Sequence, residues 1–370
     1  MTSVDREAAA RAGRTGIVAR TALVLGAVLF SLVLLELGCR MVRSGPAGLV
    51  HWPNLARERM SNNEEGGVPC AYAYDAELGW TSPAGCRSRG YNVDEAGFRL
   101  APAPAALATP PILVTGSSFA KGDEVDDAET WPAYLQDQIG RTVLNAGVSG
   151  YSLDQTVLNT ERLAARLSPL AIVVGFTPGD IRRSEMVVTW SRPKPYFAPS
   201  GEGLVLKNVP VPGRPGEPVA LPWPARLFGR SILADEIVKR LGIRKGWYFK
   251  EVPALPPGTG KTIACRLMPR LAALGRPVVV LAQYGRAYWT QPQDTRQRES
   301  AAVAAVLDCA SRAGLATLDM AGPMGAMVEA AGLASVYRSE HHSAAGNRMV
   351  ADHVREALAQ HGLLPSEARR

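Results

Sequence analysis

The sequence predicts an α/β protein. It reads as a three-layer sandwich around a central parallel sheet, of flavodoxin-like type, preceded by one N-terminal transmembrane helix. Three observations predict it. Short apolar runs recur along residues 111–319 and alternate with segments of helical periodicity. Those runs are apolar throughout, as strands covered on both faces are, instead of alternating with polar residues. Near the start, residues 21–39 read TALVLGAVLFSLVLLELGC and carry one charge, Glu36. At 1.5 Å per residue such a stretch crosses the roughly 30 Å hydrocarbon layer. The chain has 370 residues, 46% hydrophobic and 20% charged, the balance of a globular protein with a sizeable core.

Taken in order, residues 1–20 form a short segment holding Arg6, Arg11, Arg14 and Arg20. The apolar stretch 21–39 follows, then Arg40 and Arg43. Its apolar positions run all round the helix, unlike the single stripe of a core helix. No small-x-small cleavage site follows it, so an uncleaved anchor is expected in place of a signal peptide. Glu36 stands where a lipoprotein cleavage box needs an aliphatic residue, so Cys39 is not read as lipid-modified. The positive charges favour a cytoplasmic N-terminus. The expectation is a single-pass protein of the inner membrane, with its C-terminal domain periplasmic.

Residues 44–110 read as a loop-rich lead-in, and 111–362 as the main domain. Its strands are Pro111–Thr115, Thr142–Asn145, Ala171–Gly175, Pro277–Gln283 and Leu315–Asp319. Its helices are Thr130–Ile139, Leu153–Leu167, Lys261–Leu274, Arg296–Ala313 and Ala344–Gln360. Residues 186–257, rich in proline, break the rhythm and read as an insertion. An oxidising compartment permits disulfides between Cys70 and Cys86 and between Cys265 and Cys309; free buried thiols are the other reading.

Two partner classes are not expected. The net charge of +7 is spread out, with no basic run or nucleic-acid motif. Pro256-Pro257-Gly258-Thr259-Gly260-Lys261-Thr262 looks like a nucleotide loop but lacks the first glycine, Leu255 standing there, and the preceding strand. It reads as the start of a helix.

In a parallel sheet the ligand crevice lies beyond the carboxyl ends of the strands. The first strand ends there in Gly116-Ser117-Ser118-Phe119. A serine on a strand-to-helix turn presents a hydroxyl with free backbone N–H groups beside it. The segment continues Ala120-Lys121-Gly122-Asp123-Glu124-Val125 to Glu129-Thr130-Trp131-Pro132. Val143-Leu144-Asn145-Ala146-Gly147-Val148-Ser149-Gly150-Tyr151 and Asp154-Gln155 follow. Far downstream stands Glu340-His341-His342-Ser343-Ala344-Ala345-Gly346-Asn347.

Together these segments resemble the SGNH, or GDSL-like, hydrolase superfamily. The subgroup they look like is bacterial, has one membrane anchor and is tied to surface polysaccharide. The lead-in segments Asp75-Ala76-Glu77-Leu78-Gly79-Trp80 and Asn92…Gly97-Phe98-Arg99 are also similar to it. The resemblance covers roughly residues 70–185 and 310–360. It implies Ser118 as nucleophile, with its own N–H and that of Gly150 as oxyanion donors. The family's third donor, an asparagine, is missing from Gly175-Phe176-Thr177-Pro178-Gly179-Asp180; Gly179 stands nearest its place, beside Asp180. The implied base is His341, with His342 as the neighbouring alternative. The family's acid precedes the base by two or three residues, where Ser339 and Arg338 stand here. Glu340 is the nearby candidate, and the acid stays open.

The resemblance implies a serine esterase or O-acyltransferase, acting on an ester through an acyl-enzyme. Acetylated surface polysaccharide is the implied substrate, and no metal or organic cofactor is required. The missing asparagine supports the alternative, an inactive protein of the same fold that binds or assembles exopolysaccharide.

Overall fold

The computed structural model describes residues 3–55, 72–88, 90–102, 108–213, 223–241, 243 and 251–364, with side chains from residue 17 onward. The chain forms two compact units: Met1–Met60 with Leu221–Tyr248, and Ser61–Ala220 with Phe249–Arg370.

The larger unit is built on five strands: β1 (Ala108–Gly116), β2 (Arg141–Gly147), β3 (Ala171–Phe176), β4 (Val278–Ala282) and β5 (Ala316–Asp319). All are parallel, in the order β5-β4-β3-β1-β2. Ile112–Val114, Ile172–Val174 and Val279–Leu281 are wholly buried. Branched side chains stiff about χ1 suit a strand packed on both faces, which is why these runs lack polar alternation. The helices are α3 (Trp131–Ile139), α4 (Leu153–Leu167), α8 (Thr259–Ala272), α9 (Gln293–Arg312) and α10 (Ala344–Gln360). α3 packs on α10, and α8 packs on α4 and α9. Right-handed crossovers place these two groups on opposite faces, giving three layers. The chain winds outward from β1 to β2, then reverses across β1 to β3. That reversal makes a crevice at the carboxyl ends of β1 and β3.

Local signals end each helix. Thr130 caps α3 by accepting from the Ala133 N–H at 3.2 Å, and Gly140 closes it at φ +60°. A Ser152–Gln155 capping box opens α4. α8 begins at Thr259, and Glu185 Oε2 accepts from the N–H groups of Gly258 and Gly260 at 2.9 and 3.0 Å. The loop that looks like a nucleotide site therefore already holds a carboxylate of its own chain. Cys265 and Cys309 form a disulfide between α8 and α9. Cys86 is disulfide-bonded, and Cys70 lies outside the described residues.

The lead-in packs on the loop after β2. Trp80 Nε1 donates to Ser149 O at 3.1 Å, Tyr151 OH to Trp80 O at 2.6 Å, and Gln155 Nε2 to Leu78 O at 2.8 Å. The proline-rich stretch divides between the two units. Met186–Thr189 pairs with Arg192–Pro193 and Val252–Pro253 in the larger unit. Lys194, wholly buried, joins this part to α4 through Asp154 at 2.8 Å.

The smaller unit contains α1 (Ser3–Ser44), α6 (Trp223–Phe228) and α7 (Ile232–Arg240). Ile17–Ser44 of α1 is 28 residues long and contains an 18-residue window with a mean hydropathy of 2.4, which is unburied.

One close approach governs the crest of the sheet. A Cβ on Gly147 would collide with the backbone nitrogen of Lys121, an atom that cannot yield. Gly147→Ala is expected to lower stability by about 1–3 kcal/mol through overpacking, read as a lower denaturant midpoint at unchanged slope.

Candidate active site

Ser118 is the first residue of α2 (Ser118–Lys121), directly beyond β1. Glycines let α2 sit this low: a Cβ on Gly116 would lie 2.7 Å from Ala120 Cβ, in addition to the clash at Gly147. Gly116 and Gly147 are register partners, so the turns beyond β1 and β2 share one crest. Among the described residues, the N–H groups of Ser118 and Gly150 have no protein acceptor. Gly150 has φ +80°, and a Cβ there would meet the Trp190 ring at 2.8 Å. Both the backbone conformation and the packing therefore require glycine at that donor.

His341 comes from the other end of the chain. It precedes α10, whose cap Ser343 accepts from the Gly346 N–H at 3.1 Å. Its Nε2 lies 2.8 Å from Ser118 Oγ, and its Nδ1 lies 3.0 Å from Glu124 Oε1. A carboxylate only accepts, so Nδ1 carries the proton. Nε2 is then free to accept from the serine hydroxyl. Phe119 packs against the His341 ring at 4.8 Å between centroids.

The carboxylate on His341 Nδ1 is that of Glu124, which lies outside the short motif around the histidine. Glu124 also accepts from the Ser339 N–H at 2.9 Å, Ser339 Oγ at 2.8 Å and the Glu340 and His341 N–H groups at 3.2 and 3.3 Å. Burial pushes its carboxyl up, but the His341 contact and the Ser339 bonds outweigh this and hold it down at about 2. For His341, burial favours the neutral ring. The Glu124 hydrogen bond and the charges of Asp123, Glu124 and Glu340 outweigh it, and its pKa is raised.

Glu124 has φ +72°, rare for a residue with a side chain. Its loop is held by Arg99, which donates to Lys121 O at 3.0 Å, Val125 O at 2.7 Å and Gly90 O at 3.0 Å, and pairs with Asp127 at 2.8 Å. The lead-in segment Gly97-Phe98-Arg99 thus supports the turn that carries the acid.

Three candidates take other places. Glu340 is exposed, and its carboxylate bonds neither histidine; its backbone N–H serves Glu124 instead. The candidate left open near His341 therefore does not reach the imidazole, and the carboxylate on His341 Nδ1 is that of Glu124. His342 is buried, with Nε2 3.2 Å from Tyr284 O, and it makes no contact with Ser118. Burial, with the neighbouring His341 charge, holds it neutral, down to about 3. It is a packed ring and not an alternative base. Asp180 is buried in the capping box of α5 (Pro178–Arg183), accepting from the Thr177 N–H at 2.8 Å and from Ser117 Oγ at 2.9 Å. It also pairs with Arg183. Its carboxylate is committed to tying the β3 crest to the β1 crest, which corrects its assignment to substrate. Gly179, in the first turn of α5, faces the Arg183 guanidinium.

No family model and no curated protein matches the chain. Among solved structures, it is similar to LAE5, an alpha/beta hydrolase enzyme from the metagenome of Lake Arreo, Spain. That match has 14% identity and a TM-score of 0.42, covering 70% of this chain and 99% of that one. A lipolytic protein of the G-D-S-L family from Veillonella parvula DSM 2008 matches at 13% identity and TM-score 0.37, over 68% and 98%. Axe2, an acetylxylan esterase from Geobacillus stearothermophilus, matches at 13% and 0.40, over 70% and 98%. These likenesses concern the sheet and its helices; the chemistry of this chain rests on the side chains described above.

Proposed function

We propose that the chain is a membrane-anchored, extracytoplasmic serine ester hydrolase or O-acyltransferase of SGNH type. One observation carries the reading: the continuous line Ser118 Oγ, His341 Nε2, His341 Nδ1, Glu124 Oε1, with hydrogen-bond distances of 2.8 and 3.0 Å. A nucleophile, a base and a group that orients the base are what acyl transfer to serine needs.

In this reading Ser118 Oγ attacks the ester carbonyl carbon while its proton passes to His341 Nε2. The carbonyl oxygen becomes an oxyanion facing the N–H groups of Ser118 and Gly150. Collapse breaks the bond to the alcohol oxygen, which leaves with the proton from His341. The acyl group then sits on Ser118. Water, deprotonated by His341, releases it as a carboxylic acid; a sugar hydroxyl in the same place would accept it as a new ester. Glu124 stays ionised and stabilises the imidazolium at each proton transfer. The line also disfavours the non-catalytic alternative, since a binding protein has no use for a serine–imidazole–carboxylate chain.

The unburied apolar helix and the Cys265–Cys309 disulfide support an anchored domain in an oxidising compartment. The resemblance of its motifs to the polysaccharide-linked subgroup supports an O-acetylated glycan as substrate.

A fluorophosphonate probe is expected to label the purified full chain and to leave Ser118→Ala unlabelled. Hydrolysis of a short-chain aryl ester should fall by about 10⁵–10⁶-fold in that variant. Equal rates for the two proteins would refute the reading.

The pH dependence follows from the environment of His341. The ring must be neutral to accept the serine proton, and its folded pKa is raised. Activity should therefore rise with pH through a midpoint above the ordinary histidine value. Glu124→Gln removes the main raising contacts. It should move that midpoint to lower pH while cutting kcat/KM by about 10³–10⁴-fold. An unmoved midpoint would remove Glu124 from the relay. For orientation, alkaline phosphatase fused after Arg370 is expected to be active in whole cells.

A further inference from the structure

The smaller unit contains an interaction between two distant parts of the chain. From Thr21 to Leu35, α1 carries no charged side chain over about 22 Å, roughly three quarters of the hydrocarbon thickness. The next side chain is Glu36, 8% exposed. A carboxylate at this depth is costly unless its oxygens are satisfied. They are: Oε1 accepts from the Ile232 N–H at 2.9 Å and pairs with Arg40 at 2.7 Å, while Oε2 accepts from Ser231 Oγ at 2.8 Å and the Leu233 N–H at 2.9 Å. Glu36 therefore caps the N-terminus of α7, which arrives from the proline-rich insertion. Arg40, also buried, bonds Gly48 O at 3.3 Å and Arg230 O, and stacks on Trp52 at 3.6 Å. Arg43 pairs with Asp235 of α7 at 3.1 Å.

The α6–α7 hairpin is thus fastened to α1 in the last turn of the apolar stretch 21–39. Its inner positions, Ala225, Ile232, Asp235 and Val238, are buried. Its other positions are not what a water-facing helix pair carries. Trp223 is 66% exposed and Leu227, one turn on, 65%; Leu241 is 64% exposed, one turn beyond the exposed Ile237, and Phe228 is exposed beside Leu227. Arg226, Arg230 and Arg240, all exposed, lie among them.

We propose that this hairpin is a lipid-binding seat. Trp223, Leu227, Phe228, Ile237 and Leu241 enter the headgroup–acyl boundary of the leaflet that Glu36 reaches, and the three arginines face anionic lipid phosphates. Two features select lipid over a soluble partner. The fastening through Glu36 and Arg40 sets the hairpin's level, and α7 packs on α1, whose own apolar side chains are bare. Aromatic and basic residues at such a boundary are the composition that an interface with lipid favours. The inference rests on the reading that α1 spans a membrane.

The test uses the full chain in vesicles of phosphatidylcholine and phosphatidylglycerol. The lipids are brominated either high on the acyl chain or near its end. The Trp223 emission is obtained as the difference between the wild type and Trp223→Phe, a change at an exposed position. Lipid brominated high on the chain should remove roughly half of that emission, and lipid brominated near the chain end much less, as expected for a ring at the boundary. The span is checked separately by flotation after an alkaline carbonate wash. Loss of flotation overturns the spanning reading and the seat with it. Retained flotation with unquenched Trp223 overturns the seat alone. Trp223 shielded from aqueous acrylamide yet unquenched by either lipid would mean that protein, such as a second copy, covers the face, and would also overturn it.

Discussion

The hydrogen bonds converging on Glu124 are what the site depends on. One carboxylate orients the His341 ring and accepts from the backbone of residues 339–341. Base and acid are therefore positioned together: any shift of the 339–341 turn moves both ends of the His341–Glu124 contact. The backbone at Glu124 is held in a conformation that costs about 1–3 kcal/mol for a residue with a side chain. Arg99 and the bonds to the carboxylate over-determine the turn and offset that cost. The lead-in, which contributes no reacting atom, thus governs the placement of the acid.

Two adjacent histidines show how environment divides one residue type into two roles. His342 is buried and His341 half-buried, and burial alone would favour the neutral ring in both. A carboxylate beside His341 reverses that effect, while His342 has a backbone carbonyl and aromatic neighbours and is driven to about 3. The first ring, its pKa raised, stands between the serine hydroxyl and the carboxylate. The second fills space between Phe119 and Tyr337.

The sheet was legible because its signal is local. Five runs overlap β1–β5; the inner strands β1, β3 and β4 are apolar because they are buried on both faces, while the edge strands β2 and β5 are partly exposed and carry polar residues. Ser118 and His341 were legible because each stands in a short motif whose register can be counted. Glu124 was not. It stands 217 positions before His341, so no spacing rule along the chain joins them. The one sign was a pair of carboxylates, Asp123-Glu124, in the turn after the nucleophile. The pair divides: Asp123 accepts from Ser149 Oγ at 2.8 and 2.6 Å, and Glu124 takes the imidazole. The division of residues 186–257 between two units was hidden for a similar reason, because Glu36 and Ser231 meet only in three dimensions.

The missing asparagine has a physical counterpart at the β3 crest. There Asp180 caps α5 and binds Ser117, the residue before the nucleophile. A third oxyanion donor at this crest would have to project from a turn whose polar atoms are already engaged in holding the β1 crest. Removing one such donor is worth about 3–4 kcal/mol of transition-state stabilisation. Two backbone donors remain, each fixed by a constraint that side-chain donors lack: Ser118 by the first turn of α2, and Gly150 by its positive φ against Trp190. Donors that cannot rotate need no reorganisation as charge develops, so a hole built from two of them retains its directional preference for an oxyanion over a neutral carbonyl. For the proposed acyl transfer, the departure from the motif thus bears on the rate and not on the type of reaction.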